Sequence, residues 1–128
     1  LTTPGPVASP RAAVAAAAAA AKNGEDVVVI HVGDIISIID DFVLVSASNP
    51  RLVRTIVDEV EDAIREHDGG KPIGIEGRSD ATWVLLDFGD IVVHVFHTDT
   101  RAYYDLERLW ADAPTVEWEP AAATAADG

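Results

Sequence analysis

Residues 50–67, PRLVRTIVDEVEDAIREH, constrain this chain more than any other stretch. Leu52, Val53, Ile56, Val57, Val60, Ala63 and Ile64 recur at three- and four-residue spacing, which on a helical period makes one apolar stripe. Asp58, Glu59, Glu61, Asp62, Arg65 and Glu66 fill the other side as a solvated face. Asn49 stands as N-cap, Pro50 takes the first helical position, and Asp68-Gly69-Gly70 supplies a left-handed stop. Such a helix must bury its stripe against a second layer. The flanking runs DVVVIHV (26–32), DFVLVSA (41–47), KPIGIEG (71–77) and the two halves of WVLLDFGDIVVHVF (83–96) supply it. They are short, rich in Val, Ile and Phe, and bounded by turn residues, so they are predicted strands. Pro72 places the start of its strand at a sheet edge or strand end. DIISII (34–39) fits either a helical turn or an irregular connection.

Two more helices complete the order. Residues 10–23 are mostly alanine, with Ser9 as N-cap, Pro10 in the first turn and Gly24 as stop. DTRAYYDLERLWADAP (99–114) is read as a final helix with Tyr103, Leu106, Leu109 and Trp110 on one side and Pro114 just past its end. The order α-β-β-α-β-β-β-α, with a strand–helix–strand crossover and a long hairpin, predicts an α/β fold: a mixed sheet of about five strands with helices packed on it. Residues 10–116 are expected to form a single domain, with residues 1–9 and 117–128 as disordered tails, small and Pro-rich without apolar periodicity.

Acidic residues number 22 against 9 basic ones, a formal charge of −13. A phosphate backbone is repelled by that field, and the arginines are scattered among acids, so direct sequence-specific nucleic-acid binding is not expected. Work near nucleic acid would go through a basic protein. The absence of cysteine excludes disulfides and thiolate chemistry. The chain also lacks methionine, so its start is expected to be processed or trimmed. The alanine run is too weakly apolar and too short to span a bilayer, which takes about 20 apolar residues. It is read as a helix rather than a signal segment, and the protein as cytoplasmic, without membrane association.

In the hairpin 83–96, a two-residue Gly89-Asp90 turn pairs Phe88 with Ile91, Leu86 with Val93 and Val84 with Val95. These six apolar side chains share one face, which is predicted core. The other face carries Trp83, Leu85, Asp87, Val92, His94 and Phe96. A metal or nucleotidyl-transfer site would need carboxylates converging on one cation. Asp40 and Asp41 point to opposite faces, and Asp87 and Asp90 lie three apart across a turn. Asp87-Phe88-Gly89 has the letters of the kinase metal-binding triplet but no phosphate loop, strand lysine or catalytic loop beside it. The His94-x-x-His97 step turns the two rings to opposite faces of a strand, so a structural histidine is the reading there. The pattern favours recognition over catalysis: an aromatic beside a few fixed charges is what binding hot spots use. Whether Trp83 is exposed for that role or covered by the final helix stays open on composition.

DDFVLVSASNPRLVRTIVDEVEDAI, IEG, WVLLDFGDIVVHVF and RAYYDLERLW occur in the order and at the spacing of the bacterial ribosomal silencing factor family, also called Iojap, over residues 25–113. The resemblance implies a nucleotidyltransferase-like fold without that fold's catalytic pattern, no enzymatic activity, and no cofactor or metal. It implies a protein that binds the large ribosomal subunit through its protein number fourteen, blocks joining of the small subunit and represses translation under nutrient limitation, with a homodimer off the ribosome. Carried onto this chain, the contact set is Trp83 as aromatic anchor with Leu85, Asp87, Phe88, Gly89, Asp90 and His94. Tyr104, Asp105 and Glu107 match the family's final helix as supporting residues. Phe88 falls on both the core face and this contact set, which a hairpin tip reaching past the sheet edge could reconcile. Ala47 stands where the family usually has Gly, and Tyr103-Tyr104 replaces the usual Phe-Tyr.

Overall fold

The structure, a computed structural model, describes residues 7–119. Its sheet has six strands in the order β3-β4-β5-β2-β1-β6. These are β1 (Glu25–His31), β2 (Asp41–Ala47), β3 (Gly74–Glu76), β4 (Trp83–Asp87), β5 (Ile91–His97) and β6 (Thr115–Val116). β2 and β5 run parallel and every other pair is antiparallel, so the sheet is mixed. The parallel pair follows from the crossover through α2 (Pro50–Asp68), since parallel neighbours need a long connection. The short β3, just after Pro72, lies at the sheet edge.

α2 forms where its stripe and caps predict. Asn49 Oδ1 accepts the Leu52 N–H at 2.8 Å, and Gly69 closes the helix at φ 76°. Val53, Ile56, Val57, Val60 and Ile64 are buried on the sheet. α1 (Pro10–Ala21) lies beside α2 on the same face, burying Ala12, Ala15, Ala16, Ala18 and Ala19. Alanine allows the close approach. Asn23, not Gly24, takes the left-handed turn at the end of α1 (φ 65°). Gly24 is needed for space, because a Cβ there would meet Val45 and the Ala19 carbonyl.

The opposite face of the sheet carries a second, smaller core of Ile30, Val32, Phe42, Leu44, Val92, Phe96, Leu106 and Ala113. Ile36 and Ile39 from the irregular 33–40 connection pack on it, as does Trp110. Here the structure departs from the single final helix expected over 99–114. The segment is broken into α3 (Thr98–Tyr104) and α4 (Leu106–Leu109) by Asp105, which sits at φ 49° and ends α3 with a left-handed cap. The break rotates the two halves apart. Leu106 is buried, while Tyr103 and Leu109, expected on the same side as it, are 81% and 75% exposed.

The sixth strand is also a correction: beyond Pro114 the chain adds β6 to β1. The tail boundaries move with it. Val7 bridges Glu117, the Ala8 N–H donates to the Glu117 carbonyl at 2.8 Å, and the Trp118 indole N–H donates to the Val27 carbonyl at 3.3 Å. The inner ends of both expected tails are therefore built into the sheet edge; residues 1–6 and 120–128 lie outside the described residues. No helix among the described residues is long and apolar enough to cross a membrane.

Candidate functional site

The hairpin β4–β5 has the predicted register: Trp83 faces Phe96, Val84 faces Val95, Leu85 faces His94, and Leu86 faces Val93. Gly89 takes φ 95° in the turn, and Asp87 Oδ1 accepts its N–H at 2.8 Å. Val84, Leu86, Phe88, Ile91, Val93 and Val95 belong to the core under α1 and α2. That registration sends Trp83, Leu85 and His94 to the other face.

On that face Trp83 is half-buried, which falls between the two alternatives the sequence leaves open. Its ring lies 4.9 Å from Phe96 and 5.0 Å from Tyr104, centroid to centroid. Its indole N–H donates to His94 Nδ1 at 3.1 Å. Tyr104 in turn meets Tyr103 edge-on at 5.0 Å. α3 therefore covers one side of Trp83 and leaves the β3 side open, where Trp83 and Leu85 line a shallow hollow with Glu76 and Gly77. Tyr103, Tyr104 and Leu109 are exposed beside it. Gly77 carries φ 85°, and a Cβ there would overlap the Trp83 carbonyl oxygen, so this glycine lets β3 close against the start of β4.

Arg101 holds the α3–α4 break in place. It is buried, with its guanidinium donating to the Asp26 carbonyl at 2.7 Å, to Ser46 Oγ at 2.9 Å and to Glu107 at 2.7 Å. Burial opposes ionisation of Glu107, but the hydrogen bond and charge of Arg101 outweigh it and hold the carboxyl below its ordinary pKa. Neither Arg101 nor this pairing is visible in the sequence, because a six-residue separation across a helix break matches no helical spacing.

The predicted contact set divides in two. Trp83, Leu85, Asp87, Gly89 and Asp90 are half-buried, and Tyr104 and Asp105 are exposed. Phe88 and His94 are each only 4% exposed. Phe88 packs in the main core, so the core reading of that residue prevails over the contact reading. His94 sits among Phe42, Trp83 and Phe96, and burial pushes its pKa down to about 4. Glu107 is engaged by Arg101, and Asp90 is engaged by Arg11 at 2.9 Å. Arg11 also reaches Asp68 at 2.9 Å and the Phe88 carbonyl at 3.2 Å, tying α1 to the hairpin tip. Asp41 is buried and accepts from the Ser9 N–H at 2.9 Å beside His31 Nδ1 at 3.1 Å. Asp41, Asp87 and Asp90 thus each serve a different local partner. Among the described residues, no three His, Cys, Asp or Glu side chains gather as a metal site requires.

A strip of aromatic and aliphatic side chains on an acidic protein suits binding to another macromolecule. Residues 6–128 match the family described as ribosomal silencing factor during starvation. The chain belongs to the ribosomal silencing factor family. The ribosomal silencing factor RsfS of Halalkalibacterium halodurans is 45% identical over 98 residues, covering 77% of this chain and 83% of that protein. Its namesake from Bacillus subtilis is 40% identical over 104 residues, covering 81% and 87%. A crystal structure of a Chromobacterium violaceum protein has a similar fold, with a TM-score of 0.75 and 30% identity over 79% of this chain and 83% of that one. The name these silencing factors share describes a regulatory role at the ribosome.

Proposed function

We propose that this protein silences ribosomes without enzymatic chemistry: it binds the large subunit through protein number fourteen, and its bulk then blocks joining of the small subunit. The observation that carries this reading is the strip in which half-buried Trp83 and Leu85 adjoin exposed Tyr103 and Tyr104, in a chain of the silencing factor family. Its charge of −13 supports the choice of partner. An acidic protein is drawn to a basic ribosomal protein and repelled by the surrounding RNA, so it docks where protein is exposed. Trp83 is the anchor, Leu85 and Tyr104 extend the apolar contact, and Asp87, Gly89 and Asp90 form a polar rim at the hairpin tip. His94 supports this surface from within, and Phe88 fixes the hairpin tip from the opposite face of the sheet. The protein works in the cytoplasm, lowers translation when nutrients run short, and needs no cofactor.

Off the ribosome the same strip pairs two copies of the chain, so dimerisation competes with docking. A dimer that bound the ribosomal protein at the monomer's full affinity would rule this competition out. The main test is sedimentation of the purified protein with large subunits on a sucrose gradient, followed by addition of small subunits. Co-sedimentation with the large subunit and fewer joined ribosomes is the expected result. No binding at low or moderate salt would overturn the proposal.

A further inference from the structure

His94 is an imidazole where a phenyl ring would fit. Phe42 meets it edge-on at 5.0 Å, Phe96 stacks at 6.0 Å, and Trp83 closes the third side at 6.0 Å. Its one hydrogen bond among the described residues joins Nδ1 to the Trp83 indole nitrogen at 3.1 Å. An indole nitrogen can only donate, so Nδ1 accepts and the ring hydrogen resides on Nε2. Nε2 is buried and meets no partner among the described residues. An unpaired buried donor opposes folding, whereas an apolar ring of the same shape would not. What the imidazole adds over a phenyl is therefore a single acceptor, and Trp83 takes it. Burial keeps that acceptor unprotonated at neutral pH.

We propose that His94 is a positioning residue of the recognition strip: by accepting the indole N–H it turns the only polar atom of Trp83 inward, so that the ring meets its partner as an apolar plate and selects an apolar patch on the bound protein. The inference rests on the docking role given above to Trp83. Phe96 and Tyr104 hold the ring by contact, but contact alone does not fix which edge faces out. The hydrogen bond does. An indole held this way needs no acceptor from the partner and brings no bound water into the interface. It is also ordered before docking, which removes an entropic loss from binding. The partner side chains facing Trp83 should accordingly be aliphatic or aromatic.

The test compares the full-length wild type with His94→Phe, which keeps the ring shape and removes the acceptor, and His94→Asn, whose amide oxygen can stand near the position of Nδ1. Two quantities are read: hydrogen exchange at the Trp83 indole N–H, assigned by its absence from the Trp83→Phe spectrum, and affinity for purified large subunits. His94→Phe should lose the exchange protection and bind about tenfold more weakly with its circular dichroism unchanged. His94→Asn should recover most of both. Should His94→Phe fail to fold, Trp83 replaced by benzothienylalanine, the same shape without the N–H, removes the bond from the other side and should weaken binding likewise. A folded His94→Phe or analogue protein that binds within about twofold of wild type, or a wild-type indole that exchanges as fast as an exposed one, would overturn the inference. A wild type with no affinity for large subunits would instead overturn the docking role, and the exchange measurement would still decide whether His94 holds the ring.

Discussion

Trp83 has a packed side and an open one. It packs on Phe96 and Tyr104 while keeping one side open beside Leu85. Trp83→Ala should weaken large-subunit binding by about 2 kcal/mol or more, as loss of an interface anchor does. Because the ring is half-buried, the fold should lose roughly 2 kcal/mol, less than the 3–5 typical of a fully buried aromatic. Binding assays and urea melts of the same preparation check both. His94 gives a second prediction at this scale. Its pKa falls from 6.5 to about 4 on folding. Between those values the unfolded chain takes up a proton that the folded chain excludes, so stability declines as pH drops below about 6.5 and the decline levels off below about 4, a loss of roughly 3 kcal/mol in all. Asp68, beside Arg11, and Glu107, beside Arg101, also have depressed pKa values and add losses only at lower pH. Urea unfolding between about pH 7 and pH 5 should therefore show a slope that His94→Phe abolishes. An unchanged slope in the variant would assign it to other groups.

At the scale of elements, local signals were legible wherever the chain's neighbours in sequence are also its neighbours in space. The stripe and caps of α2, and the register of the β4–β5 hairpin, are of this kind. So is the edge position of β3 after Pro72. The break in the final helix was not legible. Its residues have helical propensity throughout, but Arg101 is fixed by Asp26, Ser46 and Glu107, partners from β1, β2 and α4. That anchoring accompanies the break at Asp105 and turns Tyr103 and Leu109 outward. The glycine of the IEG run has a reason of the same long-range kind. Gly77→Ala would place a Cβ on the Trp83 carbonyl at a positive φ. It should cost more than about 1 kcal/mol of stability and disturb the strip, measurable as a lowered melting temperature with altered tryptophan emission.

The whole molecule combines a charge of −13 with the apolar strip proposed to dock. Charge should govern how fast it finds a basic partner, and the strip how long it stays. Association with large subunits should slow several-fold as salt rises from about 0.05 to about 0.3 M, while dissociation changes little. Stopped-flow or surface-binding kinetics check this, and a dissociation rate that carried most of the salt effect would contradict it. Net charge needs no coordinates, and so neither does this prediction. Which acids remain available does need them: Asp90, counted in the expected contact set, is held by Arg11 from the far end of the chain.

The sequence by itself determined the buried face of α2, the strand alternation and the hairpin register, because each rests on periodicity and on residues a few positions apart. Family motifs in the same letters pointed to the ribosome. Tertiary structure alone decided that Trp83 is half-covered, that His94 is buried against it, and that Asp90 and Glu107 have partners in this chain. Those outcomes depend on pairs such as Arg11 with Asp90 and Trp83 with His94. Their contact is set by how α1, α3 and the sheet pack together, and no local pattern in the chain encodes that packing.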